Sequence, residues 1–239
     1  MVWGTIGAWD VGMGEKQSSS IRPAIVLFDF GGTLVHGDAW AMFMRARYRR
    51  AWWRALPLIP LLPVLIPMSL FRRGRRAIVR GLVRLALFGI GENRYRALAE
   101  DFGRKLARDT RLFSRAGIAE LRRHMHAGEC VLIVTACEET LARTILDELG
   151  LGAIELIASK LAHGRLSWRI AMHCIGVEKA HQLALRGIRP PWDVAISDSL
   201  ADLPLLAAAR EAVLVNPDRR MLKRASARLG RRLTIAEWD

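Results

Sequence analysis

The chain has 239 residues, of which 51% are hydrophobic and 25% charged. That balance excludes a disordered chain, and the length allows one α/β core with an insertion or two small domains. Lys and Arg number 37 against 23 Asp and Glu, a net charge of +14 that asks for an acidic partner or surface. Cys130, Cys137 and Cys174 show no C-x-x-C spacing, which argues against a disulfide framework or a zinc site and for a reducing compartment.

Residues 1–20 have neither a dense basic start nor a continuous apolar stretch, and end in Glu-Lys-Gln-Ser-Ser-Ser. They read as a flexible N-terminal extension, not a signal peptide. The apolar run Ile25 to Phe28, followed by Asp29 and the pair Gly31–Gly32, predicts a buried strand ending in a tight loop. From Ala39 to Gly91 there is no acidic residue, but there are eleven arginines. Inside that stretch lies an uncharged apolar run, Ala55 to Phe71, interrupted by Pro57, Pro60, Pro63 and Pro67 and preceded by Trp40, Trp52 and Trp53. Further strands are predicted at Val131–Val134, Ile154–Ala158, Val194–Ser197 and Val213–Val215. Helices are predicted at Ala116–His126, Glu138–Leu149, Val177–Arg186 and Leu203–Arg210. Strands alternating with helices argue for an α/β fold, a parallel sheet with helices on both faces. The core is then 21–37 and 111–239, with a helical cap at 38–110 whose segment 55–71 associates with membrane. Ligands bind at the carboxyl ends of such strands, and here those ends carry Asp29, Thr135 and Asp198.

The arginine-rich segment admits three readings. No nucleic acid partner is expected, because the arginines and tryptophans flank a Leu/Ile/Pro run and do not form a stacking face. A buried helix with a solvated basic face is a plainer alternative. A bilayer interface fits best, with tryptophans at head-group level and arginines holding an anionic phospholipid surface. Asp29 and Thr135 must meet in one site, so the chain has to return to the side it left. The 17 apolar residues would span about 25 Å as a helix, short of a hydrocarbon core of about 30 Å. The four prolines disfavour a regular helix. A re-entrant or interfacial hairpin on the cytoplasmic face follows.

Four pieces occur in order: Asp29-Phe-Gly-Gly-Thr-Leu34, Val134-Thr135-Ala136, Gly176-Val-Glu-Lys179 and Ser197-Asp-Ser-Leu-Ala-Asp202. Together they resemble the haloacid dehalogenase-like phosphatase superfamily. The resemblance implies a Rossmannoid sheet, an aspartyl-phosphate on Asp29, and catalytic roles for Thr135 and Lys179. It also implies phosphate binding by Thr135, Ala136 and Lys179. Mg²⁺ would be held by Asp29, the Gly31 carbonyl and Asp198, with Asp202 behind them. These residue types suit the chemistry, since a carboxylate can carry a phosphoryl group, and a hydroxyl, an ammonium and a hard dication stabilise its charge.

One departure stands out. The superfamily's phosphatases carry a general acid, Asp, two residues after the nucleophile, where this chain has Gly31. That implies a weak or inactive relative unless another group, such as His36, supplies the proton. The apolar run with Arg72-Arg-Gly-Arg-Arg76, Leu156-Ile-Ala-Ser-Lys160 and Trp168 to Lys179 is further similar to the bacterial phosphatidylglycerophosphatase C family. The likeness implies a phosphatase acting on phosphatidylglycerophosphate, to give phosphatidylglycerol, at the cytoplasmic face of the bacterial inner membrane. A phosphoserine-phosphatase-like hydrolase of a soluble phosphomonoester is the alternative.

Overall fold

The computed structural model describes residues 22–238; the N-terminal extension read at 1–20 lies outside them. Seven strands form one sheet: β1 (Ile25–Phe28), β2 (Cys130–Glu138), β3 (Glu155–His163), β4 (Trp168–Met172), β5 (Trp192–Ser197), β6 (Ala209–Val215) and β7 (Leu233–Ala236). Their order is β4-β3-β2-β1-β5-β6-β7. All neighbours are parallel except β4, which runs antiparallel to β3 at one edge. The helices are α1 (Ala39–Arg50), α2 (Leu62–Ser69), α3 (Arg72–Ala86), α4 (Glu92–Ala107), α5 (Arg115–His126), α6 (Glu139–Glu148), α7 (Val177–Leu185), α8 (Leu203–Ala207) and α9 (Arg219–Leu229).

β1 is central, and all four of its residues are buried. Successive side chains point to opposite faces, so Val26 and Phe28 join one apolar cluster and Ile25 and Leu27 the other. Both faces are therefore covered, as a parallel sheet requires. The first cluster also contains Phe43, Tyr95, Ala99 and Leu106, so the 38–110 insertion shares its core with the sheet. Three hydrogen bonds tie that insertion to β4 and the turn before it: Trp168 Nε1 donates to the Ile90 carbonyl at 2.8 Å, Ser167 Oγ to that of Arg84 at 2.6 Å, and the Gly89 N–H to that of Leu166 at 2.9 Å.

The structure corrects several expected boundaries. The strand expected at Val131–Val134 runs on to Glu138, and its register with β3 slips between Thr135 and Glu138. The helix expected at Leu203–Arg210 stops at Ala207. Ala209 instead pairs with Trp192, because the Ala207–Ala209 run has no apolar period to hold a helix against strand pairing. α9 and the short edge strands β4 and β7 have no counterpart in the expected elements.

The prolines do not break the apolar run. Trp52–Leu61 forms a 3₁₀ helix that leads directly into α2. Pro57, Pro60 and Pro63 recur every three residues, which matches the 3₁₀ repeat and lines up their missing N–H groups along one edge. Pro63 also falls in the first turn of α2, where an N–H would be unpaired anyway. The chain turns at Leu70–Phe71 and returns as α3. Gly74 makes the turn possible, since a Cβ there would lie 1.9 Å from the Met68 carbonyl oxygen. At the other end Arg54 Nη1 donates to the carbonyls of Leu85, Ala86 and Phe88, satisfying the last turn of α3. The result is a helical hairpin. Among the described residues, Trp52–Ser69 is the single helix long and apolar enough to cross a membrane, and none of it is buried.

Candidate active site

The site lies at the carboxyl ends of β1, β2 and β5. β1 delivers Asp29, whose N–H donates to the Ile196 carbonyl of β5 at 2.9 Å. The following loop folds back through Gly32, whose N–H reaches the Val35 carbonyl at 2.7 Å. Gly32 has φ +78, and a Cβ on it would lie 1.8 Å from Asp198 Oδ2. Only glycine lets the β1 loop and the β5 loop approach this closely.

β2 delivers Thr135 just before its bulge. Thr135 Oγ1 accepts from the Cys137 N–H at 3.0 Å, which leaves the hydroxyl hydrogen for another acceptor. α7 begins after Gly176, at φ 61, and places Lys179 in its first turn. Lys179 is 2% exposed, and its Nζ donates to Asp29 Oδ1 and to Asp202 Oδ2, both at 2.6 Å. Ser197 Oγ donates to the same Asp202 oxygen at 2.8 Å. A cavity of about 330 Å³ is lined by all the site residues expected from sequence: Asp29, Gly31, Thr135, Ala136, Lys179, Asp198 and Asp202. His36 does not line it, but Asp38 does.

Burial raises the Asp29 carboxyl to about 7, against the pull of Lys179. The charges of Asp202 and Asp198 add to the rise. Burial likewise raises Asp198. For Lys179, burial works against the charge, but Asp29 and Asp202 prevail and the ammonium is held above its ordinary value.

The donor set fits a hard dication. Four carboxylates, Asp29, Asp38, Asp198 and Asp202, line the cavity with one ammonium, Lys179, a deficit of three positive charges. Asp198 Oδ1 is buried without a hydrogen-bond partner. The described residues contain no cluster of three or more ligands of the His, Cys, Asp or Glu type arranged to hold a metal. What they offer is Asp198 and the Oδ2 of Asp29, whose Oδ1 takes the Lys179 ammonium, with the Gly31 carbonyl; Asp202 is engaged by both Lys179 and Ser197. A magnesium ion usually takes one or two carboxylates, keeps several waters and shares the substrate's phosphate.

Two further cavities flank the site, one on either side of α3. The first, about 720 Å³, lies between α1, the 3₁₀ helix and α3. It is walled by Trp40, Met44, Tyr48, Leu58 and Leu82, and it shares Asp38 with the catalytic cavity. The second, about 620 Å³, lies between α3 and β4 and is lined by Arg75, Arg76, Arg80 and His173. It shares Ile175 with the catalytic cavity. Asp38 escaped the sequence reading because it looks like an ordinary helix cap. It is one, accepting from the Ala41 N–H at 3.0 Å.

This arrangement of a strand-end aspartate, a hydroxyl, a buried lysine and a paired acidic loop defines a class. Residues 26–207 match the family model of haloacid dehalogenase-like hydrolases, and the chain belongs to that family. It is 31% identical to a phosphoserine phosphatase of Mycobacterium tuberculosis over 233 residues, covering 90% of this chain and 71% of the relative. Among solved structures it is similar to a Bordetella pertussis protein of unknown function, with TM-score 0.66, 21% identity, and coverage of 90% of this chain and 98% of that one. It also resembles a phosphoserine phosphohydrolase-like protein of Francisella tularensis, with TM-score 0.58, 12% identity, and coverage of 88% and 94%. The two structural likenesses establish the fold. The chain is a haloacid dehalogenase-like phosphatase, a phosphoric monoester hydrolase.

Proposed function

We propose that this phosphatase works through an aspartyl-phosphate on Asp29 and acts on a lipid phosphomonoester, phosphatidylglycerophosphate, at the cytoplasmic face of the bacterial inner membrane. Lys179 engages Asp29 Oδ1, which leaves Oδ2 to attack phosphorus. The new bond is Asp29 O–P, and the bond that breaks joins phosphorus to the ester oxygen, whose alkoxide takes a proton from solvent water. Water then cleaves the acyl phosphate and frees Asp29. The Thr135 hydroxyl, the backbone at Ala136 and the Lys179 ammonium bind the phosphoryl oxygens as charge develops on them. Asp29, the Gly31 carbonyl and Asp198 would hold Mg²⁺, with Asp202 supporting from behind; the bound ion would neutralise phosphoryl charge. Asp202 and Ser197 keep Lys179 aimed at the nucleophile.

The observation that carries the lipid reading is the bare hairpin. Leu70 and Phe71 at its tip are 80% and 68% exposed, and Trp52 and Ile66 are similarly bare. Arginines stand on both sides of the apolar run, and a surface of this kind matches an anionic bilayer. The second reading, a soluble phosphomonoester such as phosphoserine, is favoured by the name of the mycobacterial relative.

Phosphate release from phosphatidylglycerophosphate in anionic vesicles, compared with O-phosphoserine, with and without Mg²⁺, separates the two. The lipid should be the better substrate, turnover should require Mg²⁺, and the protein should co-sediment with the vesicles. Leu70→Glu with Phe71→Glu should release it to the supernatant. O-phosphoserine turning over as well as the lipid, with no vesicle binding, would overturn the reading.

A further inference from the structure

We infer that the apolar groove between α1, the 3₁₀ helix Trp52–Leu61 and α3 seats the hydrocarbon chain of the substrate. The inference rests on the lipid reading above and adds a site to it. At about 720 Å³ the groove is within the range of small-molecule binding sites, and its walls are almost wholly apolar. Left to water, such a lining would gain by closing. Here Arg54, bonded to the last carbonyls of α3, and Tyr48, whose hydroxyl donates to Leu82 O at 2.7 Å, brace the hairpin instead.

Two continuities name the occupant. Asp38 belongs to the groove wall and to the catalytic cavity, so a molecule with its phosphate at Asp29 has a path into the groove. Trp52 belongs to the groove wall and to the bare face of the hairpin, so a chain can enter from the bilayer side without crossing water. The other face of α3 is more polar: Arg75, Arg76, Arg80, His173 and Glu178 line a cleft there beside Ile170, Met172 and Val177, and the arginines can meet an anionic group. Among the described residues these three arginines have no carboxylate partner within ion-pair distance. An amphiphile with its terminal phosphate at Asp29 and its acyl chain in the groove is complementary to both of these joined cavities at once.

The test uses the full chain with Mg²⁺ and no bilayer. Monomeric n-alkyl phosphates from methyl to octyl are compared by kcat/KM, and the matching n-alkylphosphonates by calorimetric Kd, a readout that needs no turnover. Each methylene buried in the groove should improve both by about threefold to fourfold, or about 10²-fold between butyl and octyl. The series should level off once the groove is full. Ala55→Trp, which fills the groove, and Leu58→Gln, which makes its wall polar, should each lower the octyl-to-butyl ratio by at least tenfold. Two different substitutions guard against one that simply misfolds. A flat series in both rate and affinity overturns the inference. So does a slope that vanishes as protein concentration rises, which would mean that a second copy covers the groove. A flat series beside efficient hydrolysis of the vesicle lipid would remove the groove and leave the function standing. A steep series of phosphonate Kd values without lipid turnover would do the reverse.

Discussion

Replacing Gly31 by Asp should raise turnover on alkyl phosphomonoesters, because it puts a proton donor beside the scissile oxygen. The site can take the side chain. Gly31 is not among the positive-φ glycines, and a Cβ on it would meet only the Gly37 carbonyl oxygen, at an ordinary 3.4 Å. Its own carbonyl stays in place. A positioned general acid contributes about 10²–10⁴-fold, or roughly 3–5.5 kcal/mol of barrier. Asp38 lines the same cavity and can supply part of that already. The expected gain is therefore near the lower end, about 10²-fold. It should be largest for a glycerol alkoxide leaving group and small for p-nitrophenolate, which leaves without help. The assay is kcat/KM on phosphatidylglycerophosphate and on p-nitrophenyl phosphate for the native chain, Gly31→Ala and Gly31→Asp. If Ala is harmless and Asp brings no gain on the alkyl ester, the missing-acid explanation is wrong.

Asp29→Asn should abolish phosphate release while leaving the circular dichroism spectrum unchanged; residual turnover would remove Asp29 as nucleophile. The same variant tests the electrostatics. With chelator present, the folded Asp29 keeps its proton up to about 7, against an ordinary 3.8. The stability it contributes is thus complete below about pH 4 and is lost as pH rises to about 7, an effect on the order of a few kcal/mol. Urea midpoints between pH 4 and 7.5 should decline in the native chain and lose that decline in the Asn variant. An unchanged slope would place the titrating group elsewhere. Gly32→Ala should cost about 1–3 kcal/mol of stability from backbone strain alone and should remove activity, since its methyl would displace Asp198. A melting temperature and a turnover equal to the native values would refute the close packing of the two loops.

Much of the candidate site's layout was legible from the sequence. A buried apolar run that ends in Asp29 has to be a strand feeding a loop, and parallel strands present their chemistry at their carboxyl ends, so Asp29, Thr135 and Asp198 could be gathered by topology alone. The uncharged run at 55–71 was equally plain, because no charged residue interrupts it over 17 positions. The tertiary structure decided what depends on distant partners. Lys179 meets Asp29 across 150 positions of sequence, and whether it also grips Asp202 depends on the rotation of α7 against the end of β5. No local period encodes that rotation. The proline run was expected to break a helix, and became a 3₁₀ helix once the returning α3 gave it a partner. Asp38 reads in the sequence as a helix cap and nothing more. Only the fold sets the start of α1 between the catalytic cavity and the apolar groove, because three segments far apart in the chain must pack together before either cavity exists.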